Sequence, residues 1–129
     1  MKTKEEIEEL AKELVDIAFH IHKSLGPGLF ESVYEEVFCI ELEKRGFNYK
    51  RQQVIDIVYE GRKIPNAFEC DILIENAMII ELKSVEKLHP THFKQLGTYL
   101  KLTDLKLGLL INFNEGLIKD GIRRIVNNL

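Results

Sequence analysis

The hydrophobic period of the chain changes near Gly46, and this change limits the fold more than any other feature of the sequence. Before Gly46, apolar residues recur every three to four positions, as in amphipathic helices. After it, apolar and polar residues alternate over residues 49–61, as in half-buried strands. Pro90 then favours the first turn of a later helix. The pattern therefore predicts helices first, a sheet second and one more helix within the sheet region.

Caps and helix breakers give the boundaries of these elements. Thr3 is a plausible N-cap of the first helix, and Gly26-Pro27-Gly28 ends it. The predicted elements are helices at 4–24 and 30–44, strands at 49–60, 63–74 and 78–83, a helix at 90–102, a strand at 105–113 and a short strand within 121–128. This α-α-β-β-β-α-β-β order predicts an α/β or α+β protein with one mixed sheet flanked by helices. At 129 residues, we expect a single domain over 1–129.

Composition excludes several classes of protein. With 45% hydrophobic and 30% charged residues, the chain is expected to be globular rather than disordered. No apolar run is long enough for a membrane span, and the charged N-terminal segment does not resemble a secretory signal, so we expect a cytoplasmic protein with no membrane partner. Cys39 and Cys70 lie far apart and are expected to be buried hydrophobes. The net charge of −3 argues mildly against a broad, nonspecific nucleic-acid surface.

Charged residues interrupt two apolar runs in "CDILIENAMIIELKS", residues 70–84. Asp71, Glu81 and Lys83 stand where a sheet would bury them, and a buried charge must be paired, hydrogen-bonded or metal-bound. An odd-numbered loop at 75–77 would put Asp71 directly opposite Glu81, with Cβ atoms about 5 Å apart, whereas an even loop would put them on opposite faces. Two facing carboxylates suit a hard divalent cation. The alternative is a solvated sheet face with a Glu81–Lys83 ion pair.

One segment resembles the signature of a known family. "GPGLFESVYEEVF" contains Gly28-x-x-Glu31-x-x-Tyr34, which resembles the motif of the GxxExxY proteins, small prokaryotic members of the PD-(D/E)xK nuclease-like superfamily. The stretch from Glu69 to Phe113 and "GIRRIVN" match further family blocks in order and spacing, so the resemblance covers about residues 17–127. It implies an α/β restriction-endonuclease-like fold, a Mg²⁺ or Mn²⁺ cofactor, and nucleic acid as partner, with DNA favoured over RNA. A homo-oligomer is compatible with it.

The resemblance also implies roles for individual residues. Cys70 stands where the superfamily often has proline before the acidic residue, a position that is not a ligand. The implied catalytic residues are Glu31, Asp71, Glu81, Lys83 and Gln95, and the implied metal ligands are Glu31, Asp71, Glu81 and the backbone carbonyl of Leu82. Gln95 and Tyr99 resemble the Q-x-x-x-Y motif of the RecB-like branch and share a helix face, since they are four residues apart.

Four residues are candidates for supporting the site or touching the substrate. They are Tyr34, Tyr99, His89 and His92. For Tyr34 the alternative is core packing with its hydroxyl bonded nearby. His89 and His92 flank the start of the third helix, where they could touch a phosphate, and the alternative for both is an ordinary surface position.

The function implied is metal-assisted hydrolysis of phosphodiester bonds. A cation held by Asp71 and Glu81 would lower the pKa of a bound water. Lys83 would orient that water or stabilise developing negative charge. Whether the chain is an enzyme stays open, because the alternative is a catalytically silent nuclease-fold module that binds nucleic acid or a protein partner.

Overall fold

The computed structural model describes all residues, 1–129, as three α-helices and five strands. In chain order they are α1 (Lys4–Leu25), α2 (Glu31–Lys44), β1 (Tyr49–Tyr59), β2 (Arg62–Ile74), β3 (Met78–Lys83), α3 (Pro90–Thr103), β4 (Leu107–Asn112) and β5 (Ile122–Val126). A short 3₁₀ turn at Ile118–Gly121, which the sequence did not predict, joins β4 to β5. The α/β class and the predicted order of elements are confirmed.

The strands form one mixed sheet in the order β1-β2-β3-β4-β5. Only β3 and β4 run parallel, and the other neighbouring pairs are antiparallel. Parallel neighbours need a crossover connection, which α3 supplies. Strands β1 and β5 form the two edges, so β3 lies in the middle, and its C-terminal end is enclosed by other elements.

Helices cover both faces of the sheet. The apolar stripe of α1, with Leu14 and Ile17 at its centre, is buried with α2 and one sheet face in a cluster of 22 residues. On the other face, Leu96 and Leu100 of α3 pack in a smaller cluster that includes Cys70. The predicted N-cap is confirmed: Thr3 accepts a hydrogen bond from the Glu6 N–H, and the Glu6 carboxylate accepts one from the Thr3 N–H. No helix combines the length and the apolar character needed to cross a bilayer.

Candidate active site

The turn between β2 and β3 sets the position of the two strand carboxylates. Glu75 and Asn76 have φ values of 55° and 51°, the positive values that a tight type I′ turn requires. The strand pairing resumes with Ile74 opposite Met78, which leaves Glu75, Asn76 and Ala77 in the loop. The loop therefore has an odd number of residues. This register places Asp71 opposite Glu81, which is the odd-loop alternative.

Where Asp71 faces Glu81, hydrogen bonds from backbone N–H groups to the two carboxylates replace the backbone-to-backbone hydrogen bonds of the sheet. The N–H of Asp71 donates to Glu81 Oε2 at 2.7 Å, and the N–H of Leu82 donates to Asp71 Oδ2 at 2.8 Å. Each carboxylate thus uses one oxygen to hold the opposite strand. Because the N–H and C=O of a strand residue point to the same side, the Leu82 carbonyl lies on the Asp71 side of β3. The two carboxylates and this carbonyl form a set of oxygen donors.

The carboxylates are crowded and poorly hydrated. Glu81 is only 6% exposed, and its pKa is raised to about 8, first by burial and then by the charge of Asp71. Burial likewise raises the pKa of Asp71, against the opposing effects of the Leu82 hydrogen bond and the Lys83 charge. Lys83, two residues after Glu81 on the same side of β3, favours ionisation of both carboxylates. A bound cation would relieve their repulsion.

The loop before α2 is fastened to the end of β3. The buried Tyr34 hydroxyl donates to the Gly26 carbonyl at 2.6 Å and accepts from the Leu29 N–H at 3.2 Å. Ser84, which follows Lys83, donates from its hydroxyl to the Leu29 carbonyl at 2.5 Å. Gly28 has a φ of 98°, which other residues adopt only with strain. These contacts lock the start of α2 beside the strand carboxylates.

Glu31 is the first residue of α2 and faces this group of charges. Although the residue as a whole is exposed, partial burial of its carboxyl raises the pKa, and the charges of Asp71 and Glu35 add to the shift. Lys83 opposes it. No three His, Cys, Asp or Glu side chains are close enough together to form a ready cation cage. The oxygen donors of Asp71, Glu81 and Leu82 are of the type that a hard divalent cation prefers, and Glu31 lies near them.

Glu35 is a site residue that the sequence analysis missed. It is 8% exposed and accepts hydrogen bonds from Arg51 Nη2 at 3.0 Å and Gln52 Nε2 at 2.5 Å. Gln52 also reaches Asp71 Oδ1 at 3.5 Å and has a φ of 46° within β1. One signal could have found Glu35: it lies four residues after Glu31, hence on the same helix face.

The two histidines at the start of α3 cap the helix. Nδ1 of His89 accepts from the Thr91 N–H, and Nδ1 of His92 accepts from the His89 N–H, both at 3.1 Å. Partial burial lowers the pKa of His92, and the charge of Lys83 lowers it further. The pair therefore has a structural role as a cap and lies within electrostatic reach of the site.

Tyr99 connects α3 to the site, one turn after Gln95. Its ring stacks on Phe68 with centroids 4.0 Å apart. Burial raises the pKa of its hydroxyl, and the charges of Glu81, Cys70 and Asp71 add to the shift. Gln95 is exposed on α3. The structure thus gathers Asp71, Glu81, Lys83, Glu31 and Tyr99 around the end of β3, whereas Tyr34 lies in the core beneath it.

Removal of the Tyr34 hydroxyl tests how the loop is held. We expect Tyr34→Phe to lower the free energy of unfolding by about 1–3 kcal/mol, because the Gly26 carbonyl and the Leu29 N–H lose a shared partner. The ring should keep its stack on Phe113, at 4.5 Å. Urea unfolding measures the change, and Tyr59→Phe, at an exposed position, is the control. An unchanged midpoint for Tyr34→Phe would contradict this account.

A cavity of about 740 Å³ lies away from these residues. It is lined by the start of α1, the turn between β2 and β3, and the chain end around Leu129. It therefore lies at the opposite end of β3 from Glu81 and contains none of the candidate site residues.

The sheet has the restriction-endonuclease-like fold, and Glu81 and Lys83 lie at the end of its central strand β3, opposite Asp71 of β2. The family model described as the PD-(D/E)XK nuclease superfamily matches residues 8–125, and the chain belongs to that superfamily. Matching solved structures include the crystal structure of SSO0001, at 24% identity and a TM-score of 0.55. The alignment covers 77% of this chain and 51% of that one, so the chain spans about half the length of SSO0001, and the similarity shows the fold alone. No curated protein matches the sequence.

Proposed function

We propose that this protein is a metal-dependent nuclease that hydrolyses phosphodiester bonds of nucleic acid. The observation that carries the proposal is the facing pair of half-buried Asp71 and buried Glu81 at the end of β3, beside Lys83. Like charges directly opposite in a sheet are destabilising, so a purely structural role explains the pair poorly. Membership of the PD-(D/E)XK nuclease superfamily, whose members generally use divalent metals, supports the same function.

Each residue has a distinct task in this proposal. Asp71, Glu81 and the Leu82 carbonyl would hold Mg²⁺ or Mn²⁺, which supplies an activated water and neutralises charge on the phosphate. Lys83 would donate a hydrogen bond to the attacking water or to a phosphate oxygen. Glu31, with its raised pKa, would accept a hydrogen bond from water at the mouth of the site. Gln95 and Tyr99 would orient the substrate from α3.

We also propose a particular family for this protein within the superfamily. We assign it to the GxxExxY family because the three motif residues have separate structural tasks: Gly28 in the turn, Glu31 at the site and Tyr34 as the anchor of the loop. The proposed partner is DNA in preference to RNA, bound beside the lysines that follow β3, Lys87 and Lys94. Three further expectations stay predictions: a single domain over 1–129, a cytoplasmic location and a homo-oligomer.

A catalytically silent module that binds nucleic acid or a protein is the second candidate. The net charge of −3 favours its protein-binding form, because a nuclease and a nucleic-acid-binding module must both approach a polyanion. The paired carboxylates argue against it, because they weaken phosphate binding unless a cation is present. The two functions differ in whether added metal produces cleavage or leaves the nucleic acid intact.

The test is incubation of the full chain with single- and double-stranded DNA and RNA, with Mg²⁺, Mn²⁺ or chelator. We expect cleavage only with metal, and its loss in Asp71→Asn. Glu69→Gln is the matched control, since this exposed carboxylate lies on the same strand two residues earlier. Intact substrates under every condition, or full cleavage by Asp71→Asn, would overturn the proposed nuclease function.

A further inference from the structure

The hairpin of β1 and β2 extends beyond the rest of the sheet. Strand β2 pairs with β3 only over residues 72–74, whereas it pairs with β1 from Arg62 onward. Residues 54–69 therefore form a two-stranded extension, here called the β arm. Phe68 lies three residues before Asp71 on β2, a distance of about 10 Å along a strand. The β arm thus begins beside the candidate active site and leads away from it.

One face of the β arm is apolar and aromatic. The directly opposed pairs Ile55–Phe68, Ile57–Ile64 and Tyr59–Arg62 share a face, because β1 side chains alternate and opposed residues point the same way. The register shifts between the first two pairs, where one β1 residue faces three residues of β2, and the odd number on each strand keeps both pairs on one face. At the base, the Phe68 ring is stacked on Tyr99 of α3, next to the site. At the tip, Tyr59 is 64% exposed. These six residues are here called the aromatic face.

Charge is sorted between the two faces of the arm. The aromatic face has no carboxylate and one cation, Arg62. The opposite face carries Asp56, which is paired with Lys63 at 3.2 Å, and Glu69, opposite Val54. Glu60, the third carboxylate of the arm, lies in the turn at its tip and on neither strand. A surface that binds a polyanion excludes carboxylates, and the strand carboxylates of the arm lie on the face opposite the aromatic one. The sorting therefore favours nucleic acid as the occupant of the aromatic face.

We propose that the aromatic face of the β arm binds the unpaired bases of a single-stranded substrate and leads that strand to the carboxylates at the end of β3. The inference rests on the proposed function and adds the substrate class to it. Aromatic side chains bind bases of any sequence, because every base presents a π face. In a duplex those faces are stacked against neighbouring base pairs, so Tyr59 can reach them only in single-stranded nucleic acid.

Two neighbouring residues on opposite faces of the arm give a matched test. Tyr59→Ala removes a ring from the aromatic face, and Val58→Ala trims the other face, where Val58 is 71% exposed. Binding of the full chain to a labelled single-stranded oligonucleotide and to its duplex is measured by fluorescence anisotropy with chelator present, so that cleavage does not interfere. We expect Tyr59→Ala to weaken single-strand binding at least about fivefold. Val58→Ala and Tyr59→Phe should bind like the parent, which should prefer the single strand.

Other outcomes overturn the inference. The inference fails if the parent does not bind the single strand or if it prefers the duplex. It also fails if Tyr59→Ala binds the single strand as tightly as the parent, or if Tyr59→Ala and Val58→Ala lose the same affinity. A change of oligomeric state in Tyr59→Ala, seen by sedimentation, would identify the face as a protein interface instead. If the binding difference appears while no variant cleaves with metal, the proposed nuclease function fails and the binding role of the β arm stands.

Discussion

Replacement of Lys83 by alanine should lower the rate of phosphodiester hydrolysis by about a hundredfold or more, the loss expected for one group that stabilises transition-state charge. Its ammonium lies at the end of β3, where its charge acts on Asp71, Glu81 and Glu31. Lys83 is not proposed as a ligand of the cation. Stabilisation of the folded protein by added Mg²⁺ should therefore persist in the variant, since binding to the native state is what produces it.

The measurement is the cleavage rate of parent and Lys83→Ala at saturating metal, beside thermal melts with and without metal. Lys101→Ala is the control, because this exposed lysine lies in the last turn of α3 and has no proposed role in binding or chemistry. A variant that cleaves at the parental rate would remove Lys83 from the mechanism. If Lys83→Ala loses both cleavage and the metal-induced rise in melting temperature, Lys83 is required to form the cation site.

With a chelator present, the protein should lose stability as the pH rises from about 5 to about 8. The pKa of Glu81 is about 8 in the folded protein, against an ordinary value of 4.5. Between these values the folded state keeps a proton that the unfolded state has released, so the free energy of unfolding falls with rising pH. Below pH 4.5 both states are protonated, and the contribution vanishes. The whole effect is at most about 5 kcal/mol.

Urea unfolding of parent and Glu81→Gln across this pH range isolates the contribution of Glu81. The difference in stability between the two proteins should grow in favour of the variant as the pH rises. Other carboxylates, such as Glu8, whose pKa is lowered by Arg124, have the opposite dependence, and their contributions cancel because both proteins contain them. Glu69→Gln should follow the parent. Parallel stability curves for parent and Glu81→Gln would contradict a buried, strained Glu81.

Local patterns predicted most of the fold because each element carries its own signal. The capping pair Thr3 and Glu6 and the helical stripe of α1 are short-range features. Whether Asp71 and Glu81 point to the same face of the sheet was not predictable, because it depends on whether Ala77 belongs to the turn or to β3. That choice is made by the positive φ of Glu75 and Asn76 and by the pairing of Ile74 with Met78.

Features that depend on distant contacts were not visible in the sequence. Glu35 reads as one of several acids on α2, and its importance comes from Arg51 and Gln52 on β1. The residues of the β arm show the ordinary alternation of apolar and polar side chains in a strand. This alternation is the same whether or not β3 pairs with that part of β2. Tyr34 and Ser84 likewise meet at Leu29 only after α2 has packed on the sheet.

The central claim is that the facing carboxylates of β2 and β3 exist to hold a cation. When both carboxylates are ionised, above about pH 8 without metal, two unit charges about 4 Å apart repel by roughly 1 kcal/mol in water and about 4 kcal/mol at an effective dielectric constant near 20. Glutamine at position 81 removes this repulsion and can still accept the hydrogen bond from the Asp71 N–H.

Thermal melts of parent and Glu81→Gln, with chelator and with millimolar Mg²⁺ or Mn²⁺, test the claim directly. In chelator, Glu81→Gln should melt at a temperature equal to or higher than that of the parent. Only the parent should gain stability when metal is added. A Glu81→Gln variant that keeps the full metal-induced shift would show that these carboxylates do not form the cation site.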